Sequence, residues 1–124
     1  MIISMPARPG AFAELIRIPE RNLVEIPDGL VAEKAAMAEP LAVCYHAVRL
    51  GIDALARPTS AAKTLVLGGG AIGLGSALVL AMEGAGEIHV GEPNAGRRAT
   101  VEKSGPFKAY EPGGKTEPAA GSMD

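Results

Sequence analysis

The residues with the most chemical meaning are Gly68-Gly69-Gly70-Ala71-Ile72-Gly73, which fit the pattern G-x-G-x-x-G. Each glycine of that pattern has a task that a missing Cβ allows. Gly68 permits a tight turn, Gly70 lets the backbone approach a pyrophosphate, and Gly73 lets a helix pack closely on a strand. The free N–H groups and positive dipole end of a helix starting near Ala71 would receive the phosphates. No Lys-Ser/Thr pair follows the glycines, so the turn is not of the Walker type. Glu92 lies 19 residues beyond Gly73. A carboxylate there can accept hydrogen bonds from both hydroxyls of an adenosine ribose and would repel a 2′-phosphate. That favours NAD over NADP, although a guanidinium at Arg97 or Arg98 could accept the phosphate. The alternatives are a strand–turn–helix without a ligand and, for Glu92, a solvated charge at a strand end.

These residues need a strand before the glycines, a helix after them and a second strand ending at the acid. Thr64-Leu65-Val66-Leu67 reads as a short apolar strand, expected to be buried on both faces as in a parallel sheet. A helix is predicted from about Ala71 to Glu83, and Glu87-Ile88-His89-Val90 is the next strand. Asn94 would cap a helix running to Ser104 and stopping at Gly105, and Phe107 to Tyr110 is a third strand. Upstream, Phe12–Ile18 and Leu23–Ile26 read as short strands, the second closed by the turn Pro27-Asp28-Gly29. Ala32–Ala38 reads as helical. Pro40 then suits the first position of a new helix that would run to about Leu50 and end at Gly51. Leu41, Cys44, Tyr45 and Val48 would share its apolar face. Residues 113–124 contain no Val, Ile, Leu or aromatic residue and are expected to form a disordered tail.

Composition narrows the function classes. The 124 residues are 48% hydrophobic and 21% charged, which is ordinary for a globular domain. A net charge of −2 argues against a protein built to neutralise the phosphates of a nucleic acid, and 3% aromatic residues supply few stacking platforms. One cysteine makes neither an internal disulfide nor a cysteine-rich zinc site. The uncharged run Thr64–Met82 is long enough to cross a bilayer, but five of its residues are glycine. It reads instead as a buried strand, a turn and a buried helix, with no membrane partner. The first ten residues lack the features of a signal peptide, so a cytoplasmic location is expected.

Taken with their order and spacing, four stretches resemble the zinc-type medium-chain alcohol/polyol dehydrogenase family. They are Gly10–Glu14 through Ile26-Pro27-Asp28-Gly29, Ala38-Glu39-Pro40-Leu41-Ala42-Val43, Leu65–Leu74, and Glu92-Pro93-Asn94 through Arg97-Arg98. An FAD-binding fold is the runner-up for the glycine turn alone, but it does not resemble Gly10–Val43. The resemblance implies an NAD(H)-dependent oxidoreductase acting on an alcohol or polyol. It implies that Ala71 and Ile72 bring their backbone to the pyrophosphate, that Glu92 binds the ribose, and that Arg97 lies beside it. Glu39 matches the third catalytic-metal position of the polyol and threonine dehydrogenase-like branch; a plain charge at a helix N-terminus is its alternative.

The departures are as informative. The family's other zinc ligands, and the cysteine cluster of its structural zinc, lie upstream of the matching segment. Cys44 and His46 are two apart on a predicted helix and point roughly 200° apart, so they cannot pinch one metal. Cys44 reads as core, and His46 and His89 as structural residues. The expected fold is therefore α/β: a partial Rossmann half, β-α-β-α-β, preceded by short strands and helices. Residues 1–30 would be a remnant of the catalytic GroES-like domain, 31–60 the bridging helices, 61–112 the first half of the dinucleotide-binding domain, and 113–124 the tail. Zinc is not expected to be held by this chain alone, and the isolated chain is expected to be catalytically incomplete. The alternatives are a non-catalytic dinucleotide-binding module, possible as a homo-oligomer, and an unstable truncated remnant.

Overall fold

The computed structural model describes residues 10–124, which form two compact units divided between Ala35 and Ala36. In the first unit the local turn chemistry is realised. Leu30 N–H donates to the Pro27 carbonyl at 3.1 Å and Gly29 takes φ +83°, the left-handed conformation glycine supplies. A single turn of 3-10 helix covers Glu20–Asn22, and helix α1 covers Ala32–Ala35. The strands expected at Phe12–Ile18 and Leu23–Ile26 do not form. Alternation offers a face for burial, but a strand exists only where a neighbour takes its backbone hydrogen bonds. Among the described residues none does so, and Phe12, Leu15 and Val24 stand almost wholly exposed.

The second unit is built on three parallel strands in the order β1-β2-β3: β1 Lys63–Leu67, β2 Glu87–Gly91 and β3 Lys108–Tyr110. Helix α2 (Ala38–Ala54) precedes the sheet, α3 (Ala71–Met82) joins β1 to β2, and α4 (Ala95–Ser104) joins β2 to β3. The result is α/β, as the hydrophobic pattern anticipated.

Helix α2 differs from its expected bounds at both ends. It begins two residues before Pro40, which is accommodated in the first turn because N–H groups there have no intrahelical acceptor. It also passes through Gly51. A helical glycine costs only about 1 kcal/mol, and here Ile52 beyond it packs on the core while Arg49 pairs with Asp53 at 3.1 Å. Its core-facing stripe is buried Cys44 and Val48 with half-buried Ile52, spaced by four; Leu41 and Tyr45 are exposed.

The core joins that stripe to Ala77, Val79 and Leu80 of α3, Ile88 and Val90 of β2, Val101 of α4, and Phe107. Val66 of β1 and Ala109 of β3 pack against it. Strand alternation turns the neighbouring residues to the other side of the sheet. That corrects the two-faced burial expected of β1: Leu65 and Leu67 are 39% and 79% exposed. On the same side the Glu87 carboxylate accepts from Lys108 Nζ at 2.8 Å and lies 3.1 Å from His89 Nε2. Residues 113–124 contribute neither helix nor strand, but Asp124 bonds to both backbone groups of Lys63 at 2.9 Å and its carboxylate pairs with Arg57 at 3.1 Å.

Candidate functional site

The glycine turn follows directly from the end of β1. Gly68, at φ +94°, donates its N–H to the Gly91 carbonyl at 2.8 Å, extending the ladder one residue past the strand. The chain then reverses into α3, whose N-cap is Gly70. An added Cβ on Gly73 would lie 1.7 Å from the Gly68 carbonyl oxygen, so the first turn of α3 rests on the backbone of the turn that precedes it. Only glycine fits there. Gly70 is the reverse case, since a Cβ would meet nothing within 4 Å and its space opens outward. Ala71 and Ile72 stand exposed on the first turn. The N–H groups of Gly70 to Gly73 have no carbonyl within the helix to accept them. No side chain caps α3, whereas Asn94 Oδ1 accepts the Arg97 N–H of α4 at 3.0 Å.

Glu92 is the residue after β2, and its N–H donates to the Tyr110 carbonyl at 3.0 Å. That hydrogen bond carries the ladder one residue beyond the end of β2. One carboxylate oxygen accepts the Gly69 N–H and the other accepts the Asn94 N–H, each at 2.8 Å. The residue is only 3% exposed. These two backbone donors, Asn94 first, hold its carboxyl below the usual carboxylate range; Arg97 and Arg98 add to them against the cost of desolvation. An ionised carboxylate has about four acceptor positions. After two are used, two remain for other donors.

The structure thus brings Gly68–Gly73, Glu92 and Arg97 to one place. Arg97 Nη1 lies 4.0 Å from Glu92 Oε2, on a side chain that is 65% exposed. Three roles at the site were not anticipated by sequence reasoning. Gly69 occupies a variable position of its pattern, yet its N–H holds Glu92, and a Cβ there would press on Glu92 and Val101 at 3.0–3.2 Å. Asn94, expected as a cap, also donates its own N–H to Glu92. Arg98 grips the loop between them, donating to the Glu92 and Pro93 carbonyls at 2.8 and 2.7 Å. The signal for Gly69 was the parallel register, because a residue following β2 must lie beside one following β1.

Glu39 is exposed in the first turn of α2 and makes no ion pair among the described residues. Cys44 is buried, with its thiol directed at the Ile72 carbonyl at 3.3 Å, and His46 is exposed. Among the described residues no three His, Cys, Asp or Glu side chains come together to hold a metal. The residues present therefore do not fit a zinc centre around Glu39. A cleft of about 340 Å³ lies between α2, β1 and α3, lined in part by Val48, Ile52, Leu55, Val66 and Leu80, and includes none of the glycine turn. No helix among the described residues is long and apolar enough to cross a membrane.

Parallel strands joined by helices, with a glycine turn after the first strand and an acid after the second, define a partial Rossmann fold. Comparison with known proteins places this more closely. The chain is 40% identical over 98 residues to an L-threonine 3-dehydrogenase of Chelativorans sp., a match covering 79% of the chain and 27% of that protein. It is 37% identical over 103 residues to the (R,R)-butanediol dehydrogenase of Saccharomyces cerevisiae, covering 83% of the chain and 25% of that protein. A crystal structure from Sinorhizobium meliloti, described as a zinc-binding dehydrogenase bound to NADP, superposes with a TM-score of 0.74 at 30% identity. That superposition covers 93% of the chain and 33% of the other. No protein-family profile matches the chain. The chain is related to the zinc-binding medium-chain alcohol/polyol dehydrogenases, as its four sequence stretches implied, and spans about a quarter of the length of the curated relatives it matches.

Proposed function

We propose that the chain is the part of a zinc-type, NAD(H)-dependent alcohol or polyol oxidoreductase that holds the ADP portion of the cofactor. The observation that carries this is the bond from Gly69 N–H to Glu92 at 2.8 Å, which joins the glycine turn to the acid after β2. The N–H groups of Gly70, Ala71, Ile72 and Gly73 would take the pyrophosphate, with Gly68 shaping the turn. The remaining acceptor positions of Glu92 would take the ribose hydroxyls, with Arg97 beside them. An ionised Glu92 favours NAD, since a 2′-phosphate would bring like charge against it. When bound, the nicotinamide supplies the hydride chemistry. Glu39 would be one metal ligand among residues that this chain does not assemble, so no step is assigned to zinc. In this reading residues 1–30 belong to the catalytic domain, 31–60 bridge, and 61–112 form half of the cofactor domain, in a cytoplasmic enzyme.

The test is an amide NMR titration of the full chain with NADH, alongside Gly70→Ala. Gly70 sits at φ −77° with open space around its Cβ, so alanine leaves the fold intact while a methyl group enters the path of the pyrophosphate. The wild-type amides of Gly70–Gly73 and those near Glu92 should shift on adding NADH, and the Gly70→Ala spectrum should not. A dispersed wild-type spectrum indifferent to NADH would overturn the reading.

A further inference from the structure

Only Glu92, Pro93 and Asn94 separate β2 from α4, and every one of them bears on where the Glu92 carboxylate points. Arg98 lies one turn into α4, its N–H donating to the Asn94 carbonyl at 3.0 Å, and its side chain folds back over this loop. Nη1 donates to the carbonyls of both Glu92 and Pro93, at 2.8 and 2.7 Å. Nη2 lies 3.5 Å from a carboxylate oxygen of Glu111, just after β3. The Arg98 side chain is 21% exposed, against 65% for Arg97. The two neighbouring arginines therefore have different surroundings. Arg97 projects into the open beside Glu92, and Arg98 is bound to main chain.

We infer that Arg98 is a positioning residue for the candidate cofactor site, holding the backbone between β2 and α4 so that Glu92 reaches the N–H groups of Gly69 and Asn94. This deepens the cofactor reading above and rests on it. No hydrogen bond joins Arg98 to the Glu92 carboxylate, so apart from the charge it places nearby its action passes through the main chain. Two carbonyls gripped by one guanidinium fix the direction in which Glu92 leaves the sheet. The rigid planar fork suits that task, and a lysine ammonium on a flexible stem would hold the pair less firmly.

The experiment compares Arg98→Met, Arg98→Lys and Glu111→Gln with wild type in the full chain. The first readout needs no cofactor: the Gly69 amide proton shift, and the titration of the Glu92 carboxyl followed by NMR. In Arg98→Met the Gly69 amide should lose the shift its bond to Glu92 gives it, and the Glu92 titration should move up toward the ordinary carboxylate range. NADH should then bind about tenfold more weakly. Arg98→Lys should lie between, and Glu111→Gln should resemble wild type. A folded Arg98→Met variant with an unchanged Gly69 amide would overturn the inference whatever its Glu92 titration does, since losing the Arg98 charge by itself raises that carboxyl. So would a Glu111→Gln variant with the same effect as Arg98→Met. If Arg98→Met does not fold, an unmoved Gly69 amide in Arg98→Lys overturns it instead. The two readings separate cleanly. Wild type that ignores NADH while Gly69 responds to the substitution removes the cofactor reading and keeps the positioning role. Wild type that binds NADH with Gly69 unmoved in the variants does the opposite.

Discussion

Replacing Gly73 by alanine should unfold or loosen the second unit far more than any other glycine substitution in the turn. The added Cβ would lie 1.7 Å from the Gly68 carbonyl oxygen and 2.9 Å from its carbon, and real Cβ contacts do not fall below 3.0 Å. The turn and the helix must therefore part by about 1.3 Å, and the obstacle is backbone, with no flexible side-chain end to swing away. Overpacking a well-packed site costs about 1–3 kcal/mol, and a backbone obstacle belongs at the upper end of that range. Parting them also strains the Gly68 N–H bond to the Gly91 carbonyl. For a domain of this size about 3 kcal/mol corresponds to a fall in Tm on the order of 12–24 °C. Thermal unfolding followed by circular dichroism reads this directly. Gly70→Ala is the internal control, because its Cβ meets nothing, and its Tm should stay within about 4 °C of wild type. A Gly73→Ala variant melting with wild type would refute the argument that the first turn of α3 rests on the Gly68 backbone.

Acid and core substitutions test the rest of the unit. The hydrogen bond from Lys108, then that with His89, lowers the Glu87 carboxyl from its ordinary 4.5 to about 2. A carboxylate depressed in the folded state stabilises above its unfolded pKa and loses that contribution as pH falls through the folded one. Denaturant unfolding from pH 5 to pH 2 should therefore show stability falling with acid, and Glu87→Gln should flatten part of that slope. An unchanged slope would mean the Lys108 contact contributes nothing in solution. Val90 is 0% exposed in the central strand, and Val90→Ala should cost about 2 kcal/mol in a urea titration. A loss below about 0.5 kcal/mol would mean the core collapses around the missing methyl groups.

Much of the site was legible because its information is local. The glycines of the turn and the Asn94 cap are each dictated by backbone conformation or hydrogen bonding within a few residues. The position of Glu92 relative to the glycines followed from the length of one β-α-β unit. Helix α2 shows the limit of local signals. Pro40 and Gly51 are punctuation in a sequence, yet the helix includes both, because the first turn needs no proline N–H and because Ile52 gains a place in the core.

What the sequence by itself determined is the identity of the elements of the second unit and the chemistry available at the turn after β1. Hydrophobic period, caps and missing Cβ atoms act over one or two turns of chain, so they can be read without a partner. Tertiary structure decided everything that depends on what stands opposite. It left Phe12–Ile18 and Leu23–Ile26 without a paired neighbour among the described residues, so their alternation produced no strand. It buried one face of β1 on α2 and α3 while Leu65 and Leu67 stayed exposed on the other. It placed Gly69 under the Glu92 carboxylate and Arg98 across the loop that aims it. The first of those contacts joins residues 23 positions apart through the parallel register, and such a distance closes only when the sheet forms; the Arg98 contacts span 6 and 5 positions and need the first turn of α4.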